Sequence, residues 1–300
     1  MRLDGLSGSH LFGFMATLGT LTLLDDWATA RNLSSPRISF DRDGTPMLSE
    51  FTATAEEVAE AAFAALLARR PFYEAGLSQF KKPTDFSAAE YATIAATAGR
   101  TDSNVLAGLA CCIGDEAFES TLCAANGASH QNLIQSMRDV LCLVEVEHLF
   151  RALFLPWQRN YEIPDETRRK HSLGTRKPTL RLDPADERLY ALRFSNPTRA
   201  TDFKTELGAQ ALAIPAYSCL PVVPSRRPVS IASRRQGNRV FFHWSLWGCP
   251  CTLATVRSLL AAGIDRPDHL RTRGVFAGFR AARVSGDKGK LSFSPSEGVW

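Results

Sequence analysis

The sequence has no hydrophobic run long enough to cross a lipid bilayer. The apolar run Leu11–Leu24 is closed by Asp25 and Asp26, whereas a transmembrane helix needs about 20 predominantly apolar residues. A secretory signal peptide is not indicated either, because Asp4 offsets Arg2 and the aspartate pair stands where a small-residue cleavage site would be needed. We therefore expect a cytoplasmic protein without a membrane partner.

Cysteine pairs with the spacing of a metal site are also lacking. The chain has seven cysteines, an odd number without a pairing pattern, which is typical of a reduced cytosolic protein. Cys249 and Cys251 are separated by one proline, whereas paired zinc ligands are usually separated by about two to four residues. His243 is near them in sequence, but a fourth ligand is not evident. We expect neither a metal nor another cofactor.

Known catalytic signatures are absent as well. The sequence contains no Gly-x-Ser-x-Gly motif, no phosphate-binding P-loop and no HD or DEAD motif. We therefore expect that the protein is not an enzyme. A hydrolase or nuclease with an unrecognised site stays open as an alternative, and its candidate residues are His130 or the group of Cys249, Cys251 and His243.

What the sequence does have is an uneven distribution of charge. Residues 1–150 contain 10 Lys and Arg against 19 Asp and Glu, a net charge of −9. Residues 151–300 contain 25 against 12, a net charge of +13, so the whole chain carries only +4. A basic half is typical of a surface that faces a polyanion, and an acidic half of one that faces protein or solvent. Attraction between two oppositely charged lobes is the simpler alternative.

The hydrophobic pattern predicts an α+β fold. Helical periodicity dominates the first half, and short alternating segments with turn residues fill the second. We divide the chain into an acidic helix-rich region (1–156), a basic polar connection (157–178) and a basic strand-rich region (179–300). The helix-rich half is expected to pack on the antiparallel strands of the other half.

Local signals place individual elements in the first half. The glycines within Leu11–Leu24 predict a buried helix that another backbone approaches closely, packed on a sheet. Asp43-Gly44 predicts a β-hairpin. Thr54 is expected to cap one helix, and Ser87, three residues before a glutamate, another. Asn132–Phe154 is predicted to be a single long helix.

The second half combines short predicted strands with scattered arginines. Leu180–Leu182 and Leu189–Phe194 predict a strand pair, and Val240–Trp244 a strand on which aromatic residues interleave with Arg239. Leu253–Ala262 predicts a short helix. Polar residues beside turn-forming residues indicate loops that are held still to bind a ligand.

Binding of nucleic acid is the function that these features favour. Phosphates are neutralised by Lys and Arg, and aromatic rings stack on unpaired bases. Phe194, Phe241 and Trp244 are available for stacking, although each alone is better explained as a core residue. A structural adaptor whose basic half binds an acidic protein is the other reading. The predicted nucleic-acid-binding residues are Arg176, Lys177, Arg193, Asn196, Arg199, Lys204, Arg226, Arg227, Arg234, Arg235 and Arg239.

Four segments resemble a known family. They are LDGLSGSHLFGFMATLGTLTLL at 3–24, STLCAANGASHQNLIQSMRDV at 120–140, LRLDPADERLYALRFSNPTRA at 180–200 and FHWSLWGCPCTLATVRSLLA at 242–261. In this order they are similar to CRISPR-associated proteins of type I-G (formerly I-U) systems, as a large-subunit-like or accessory component. The resemblance implies a subunit of an RNA-guided antiviral effector complex, with RNA or DNA and the other effector subunits as partners. None of the four segments is an enzymatic signature.

Overall fold

The computed structural model describes most of the chain. The described residues are 1–80, 82–123, 133–159, 162–174, 178–184, 205–226, 228–285 and 291–300. The helices are α1 (Leu11–Thr29), α2 (Ala55–Leu67), α3 (Ala88–Thr97), α4 (Arg100–Leu109), α5 (Leu133–Leu143), α6 (Val146–Phe154), α7 (Asp165–Lys170), α8 (Leu207–Ala213), α9 (Leu253–Ala262) and α10 (Pro267–Arg271). A π-helical turn covers Phe72–Gly76, and 3-10 turns cover Pro83–Asp85 and Pro215–Cys219.

Antiparallel strands are concentrated in the second half. The strands are β1 (Arg37–Phe40), β2 (Pro46–Ser49), β3 (Ala110–Ile113), β4 (Glu116–Glu119), β5 (Val222–Val223), β6 (Val229–Ser230), β7 (Ser233–Gln236), β8 (Arg239–Trp247), β9 (Val275–Ser285), β10 (Leu291–Phe293) and β11 (Glu297–Gly298). Most helices belong to the first half, so the predicted α+β class is confirmed.

The largest sheet in the described chain has five antiparallel strands in the order β10-β9-β8-β7, with β11 also paired to β9. The long β8–β9 pair runs from Val240 opposite Arg283 to Trp247 opposite Val275. Since side chains alternate along a strand, β8 has two distinct faces. Phe242 and the residues in step with it point to one face, and His243 and the residues in step with it to the other.

Helix α1 lies in the middle of the core. Every residue from Leu11 to Leu24 is buried, as expected for a helix that is apolar on all sides. A Cβ atom built at Gly19 would lie 1.6 Å from the carbonyl oxygen of Leu212 in α8, so the predicted close backbone contact is confirmed. Helix α1 reaches the sheet through Phe14, whose ring stacks on Trp244 at 5.7 Å. Among the helices that the structure describes, none is long and apolar enough to cross a membrane.

The two charged halves share one hydrophobic core. The indole N–H of Trp244 donates to the carbonyl of Gly8, and that of Trp247 to the carbonyl of Ile38, both at 2.7 Å. Ile38 also forms a backbone bridge with Cys251. Buried residues from both sides of the 157–178 connection belong to one continuous cluster. The helix-rich half therefore packs on the strand-rich half, as predicted.

Short-range predictions agree with the structure in several places. Gly44 has a φ of 85° in the turn between β1 and β2, as the Asp-Gly signal requires. The Thr54 side chain accepts a hydrogen bond from the backbone of Glu57 and caps α2, and Ser87 caps α3 in the same way. Helix α9 spans the predicted residues Leu253–Ala262.

The prediction of one helix over Asn132–Phe154 is wrong. The structure has α5 and α6 instead, and Glu145 between them has extended backbone angles (φ −125°, ψ 165°). The backbone N–H of Glu145 donates to Nδ1 of His148 at 3.0 Å. This contact caps the N-terminus of a second helix. The break is not visible in the sequence, because apolar residues continue on both sides of it.

The predicted strand at Leu180–Leu182 is also absent from the described segment 178–184. Its leucines are buried, but the backbone N–H of Leu180 donates to the side-chain oxygen of Gln210 at 3.0 Å instead of to a partner strand. Arg181 has a φ of 58°, which interrupts an extended chain. The other predicted strand, Leu189–Phe194, lies outside the described residues.

Candidate nucleic-acid interface

Four of the eleven predicted binding residues lie in the described part of the chain. Arg226, Arg234, Arg235 and Arg239 are all exposed. Seven predicted residues lie outside the described ranges: Arg176, Lys177, Arg193, Asn196, Arg199, Lys204 and Arg227. The aromatic residue Phe194 and the alternative catalytic residue His130 also lie outside them.

The strand register brings two of the four arginines onto one face. Arg234 on β7 lies opposite Phe241 on β8, and directly paired residues of antiparallel strands share a face. Arg239 is two residues before Phe241, so it is on the same face. Arg235 lies opposite Val240 and therefore on the other face. Arg226 is in the separate connection between β5 and β6.

A further arginine on this face, Arg280 of β9, was not among the predicted site residues. It pairs with His243 across the β8–β9 ladder, and its guanidinium lies over the ring of Phe241, 4.7 Å from the centroid. Arg280 also bonds Glu297 at 2.5 Å and the side-chain oxygen of Gln236 at 3.3 Å. Alternation of side chains along a strand at Val275–Ser285 could have indicated which face Arg280 occupies on β9. The sequence does not show that β9 pairs with β8, so it could not place Arg280 beside Phe241.

An open groove of about 930 Å³ lies beside the turn between β7 and β8. Asn238 and Arg239 line it at the turn, and Arg280 lines it from β9. The turn itself places Gly237 at a φ of 59°, a conformation that favours glycine. Arg283 and the carboxylate of Glu297 line it as well, so the groove presents three guanidinium groups, one amide and one carboxylate. We call it the arginine groove.

Acidic neighbours neutralise some of the arginines around the groove. Arg234 pairs with Asp265, Arg280 with Glu297, and Arg283 with Glu119 at 3.3 Å. Arg235 and Arg239 have no ion-pair partner among the described residues. Within the described parts of 205–300, ten arginines face four acidic residues, so the region keeps a surplus of positive charge.

His243 lies on the same face of the sheet as Arg234 and Arg280. The side chain is buried and its Nδ1 has no hydrogen-bond partner in the described structure. Burial, and to a smaller extent the charges of Arg234 and Arg280, lower the pKa of His243 to about 4. A cation is thus disfavoured here, and the imidazole stays neutral at physiological pH.

The aromatic residues of β8 are not available to stack on bases. Phe241 is 8% exposed and lies beneath Arg280. Trp244 is 1% exposed and packs between Phe14 and Phe279. Their role is in the core, which leaves arginine and amide groups as the chemistry that faces solvent.

The residues proposed for metal binding or catalysis do not form one site. The sulfur atoms of Cys249 and Cys251 lie 3.7 Å apart, whereas His243 lines a small cavity together with Leu259 and Ile264. In the part of the chain that the structure covers, no group of three or more His, Cys, Asp and Glu side chains could hold a metal ion. Burial and the neighbouring thiol raise the pKa of Cys251 to about 12, so it is not a ready thiolate.

A histidine–aspartate contact that the sequence did not reveal joins the start of α1 to the segment 178–184. Nε2 of His10 lies 3.6 Å from Asp183, and Nε of Arg159 bonds the other oxygen of the same carboxylate at 2.6 Å. Burial lowers the pKa of His10. Because Asp183 is buried and held by Arg159, the cluster serves to fasten the chain.

The arginine groove is therefore the described site whose chemistry matches the predicted binding of a polyanion. A scan of protein-family models and a search of curated proteins return no match to this chain, so the resemblance to CRISPR-associated proteins stays a prediction.

Proposed function

We propose that this chain binds nucleic acid along the arginine groove and holds it without chemical conversion. The observation that supports this function is the position of Arg239. Its guanidinium is exposed at the lip of the groove, has no acidic partner among the described residues, and shares a sheet face with Arg234 and Arg280. The Arg239 guanidinium can donate two parallel hydrogen bonds to a phosphate group, whereas Arg234 and Arg280 are already paired with Asp265 and Glu297 and contribute less.

The expected mode of binding is contact with the phosphate backbone. Buried Phe241 and Trp244 offer no ring face to a base, so affinity comes from guanidinium groups and from the amide of Asn238 at the turn. Contacts of this kind position a strand without reading its sequence. Affinity should therefore depend strongly on salt and weakly on base sequence.

The wider proposal is that the bound strand belongs to an RNA-guided effector complex. It is supported by the four segments that resemble CRISPR-associated proteins and by the charge division of the chain. In this proposal the basic half contacts the guide or target strand, and the acidic half contacts neighbouring subunits. The identity of the RNA and proteins that co-purify with the chain tests it directly.

Fluorescence anisotropy tests the groove itself. A labelled single-stranded RNA and a DNA of the same sequence are titrated with protein at several salt concentrations. Replacing Arg239 by alanine should weaken binding of both strands and reduce the slope of log affinity against log salt by about 1. Arg42→Ala is the matched control, because Arg42 is exposed, carries the same charge and does not line the groove.

Two results would contradict the proposal. Failure to bind either strand at low salt would exclude nucleic acid as the ligand and favour the adaptor that binds an acidic protein. Equal losses in Arg239→Ala and Arg42→Ala would show that only the net charge matters and that the groove is not the site. Arg235→Ala, on the other sheet face, should cost less affinity than Arg239→Ala.

A further inference from the structure

A second open cavity, of about 550 Å³, lies in the acidic half of the chain. It is bounded by the end of α1, the connection from β2 to α2, and the first turns of α2, and it shares no lining residue with the arginine groove. Trp27 and Phe51 form aromatic walls, with ring centroids 5.5 Å apart and planes at 59°. Cavities of this size with aromatic walls are typical of binding sites.

Three carboxylates line the same cavity. Glu57 and Glu60 come from α2, and with Ala61 and Ala64 they occupy positions i, i+3, i+4 and i+7, which form one helix face. Glu50 comes from the connection after β2. All three glutamates are exposed, and no basic residue is among the described residues that line the cavity. The cavity therefore favours a cation.

Trp27 already holds a guanidinium group within the chain. The carbon of the Arg31 guanidinium lies 4.2 Å from the centroid of the indole ring, a distance at which a cation is attracted to an aromatic face. The same guanidinium donates to the carbonyl of Trp27 at 3.3 Å. Arg31 does not line the cavity, so its guanidinium lies over the indole without filling the site.

The backbone at the rim is in an unusual conformation. Glu50 has a φ of 58°, in the left-handed region that a residue with a long side chain rarely adopts. Such conformations persist where the surrounding structure enforces them, and they concentrate at binding sites. Here the turn places Glu50 immediately before Phe51, so a carboxylate and an aromatic ring meet at the cavity.

We propose that this cavity binds a basic segment of a partner protein. An arginine or lysine side chain lies between Trp27 and the glutamates, and apolar side chains next to it in the segment cover Leu33 and Ala64. The Leu33 side chain at the rim is 54% exposed. A small cation alone would leave this apolar side chain uncovered, whereas a peptide segment can cover it. The net charge of −9 on residues 1–150 attracts such a segment at long range. The proposal is independent of nucleic-acid binding.

A labelled peptide, acetyl-Leu-Arg-Leu-Arg-Leu amide, is the probe, and its anisotropy is measured against full-length protein. The same peptide with glutamine in place of arginine tests the need for positive charge. Glu60→Gln should weaken binding about three- to fivefold, as expected for one partly exposed charge pair. Glu56→Gln is the matched control, because Glu56 is an exposed acid of the same helix that does not line the cavity.

Binding of the arginine peptide that Glu60→Gln weakens and Glu56→Gln leaves unchanged would support the proposal. Equal binding of the glutamine peptide would overturn it, since charge would then play no part. Equal effects of the two variants would place the contact elsewhere on the acidic surface. Agmatine, a small guanidinium compound, is tested as a competitor of the peptide. If it binds as tightly as the whole peptide, the ligand is a small cation and not a protein segment.

Discussion

The contact between α1 and α8 predicts that Gly19→Ala destabilises the protein. The added Cβ would lie 1.6 Å from the carbonyl oxygen of Leu212 and 2.8 Å from its carbonyl carbon. An ordinary contact is about 3.4 Å or more, so the two backbones would have to move apart by roughly 2 Å. Both helices are buried there, and a close-packed core cannot absorb such a shift without loss of other contacts.

The expected size of the effect follows from two opposing contributions. Alanine is favoured over glycine in a helix by about 1 kcal/mol. Overpacking a core costs about 1–3 kcal/mol and occasionally more, and the clash at Gly19 is with backbone, which has less freedom to move than a side chain. We expect a net loss of about 2 kcal/mol or more, which corresponds to a melting temperature lower by roughly 3 °C in a chain of this size.

Urea unfolding followed by circular dichroism measures this change. Gly76→Ala is the control, because the nearest atom to its added Cβ is Cδ2 of Phe72 at 3.6 Å, an ordinary contact. The control should change the free energy of unfolding by less than about 0.5 kcal/mol. If Gly19→Ala is as stable as the original protein, the close approach of α1 and α8 is refuted.

Three other substitutions test separate contacts. His243 has a pKa of about 4 in the folded protein. Between pH 6.5 and 4 the unfolded chain therefore binds a proton that the folded chain does not, and the free energy of unfolding falls as pH is lowered. His243→Gln should remove up to about 3 kcal/mol of this fall, as measured by urea unfolding at a series of pH values. Arg69→Met leaves the carboxylates of Asp26 and Asp102 without their shared cation and should cost about 3 kcal/mol by thermal unfolding; unchanged stability would show that the two ion pairs are not formed. Thr54→Ala removes the N-terminal cap of α2 and should lower the free energy of unfolding by about 1 kcal/mol in the same assay. Circular dichroism should show a loss of helical signal.

Elements that depend on neighbouring residues could be predicted from the sequence. The Asp43-Gly44 turn, the Thr54 cap and helix α9 each follow from a few adjacent side chains. The break at Glu145 could not be predicted, because it depends on how the His148 imidazole meets a backbone N–H. The same holds for Leu180, whose backbone is satisfied by Gln210 from α8.

The candidate site was predictable in composition but not in arrangement. Arginine density identified the second half of the chain, and Arg239 was among the predicted residues. Which arginines share a face depends on the register of β7 and β9 against β8, and one step of register moves a side chain to the other face. Arg280 joins Arg239 for this reason, and Arg235 does not.

The position of α1 in the core has a consequence during synthesis on the ribosome. Part of the buried surface of this helix is covered by α8 and by Trp244, which are made about 190 or more residues later. At translation speeds of about 5–20 residues per second, the delay is roughly 10 to 40 s. For that time α1 can pack on α2 and Phe40, but the part of its surface that α8 and Trp244 cover stays exposed, which makes the newly made chain a substrate for chaperones. A fragment that stops before residue 205 should therefore aggregate, even though it contains seven of the described helices.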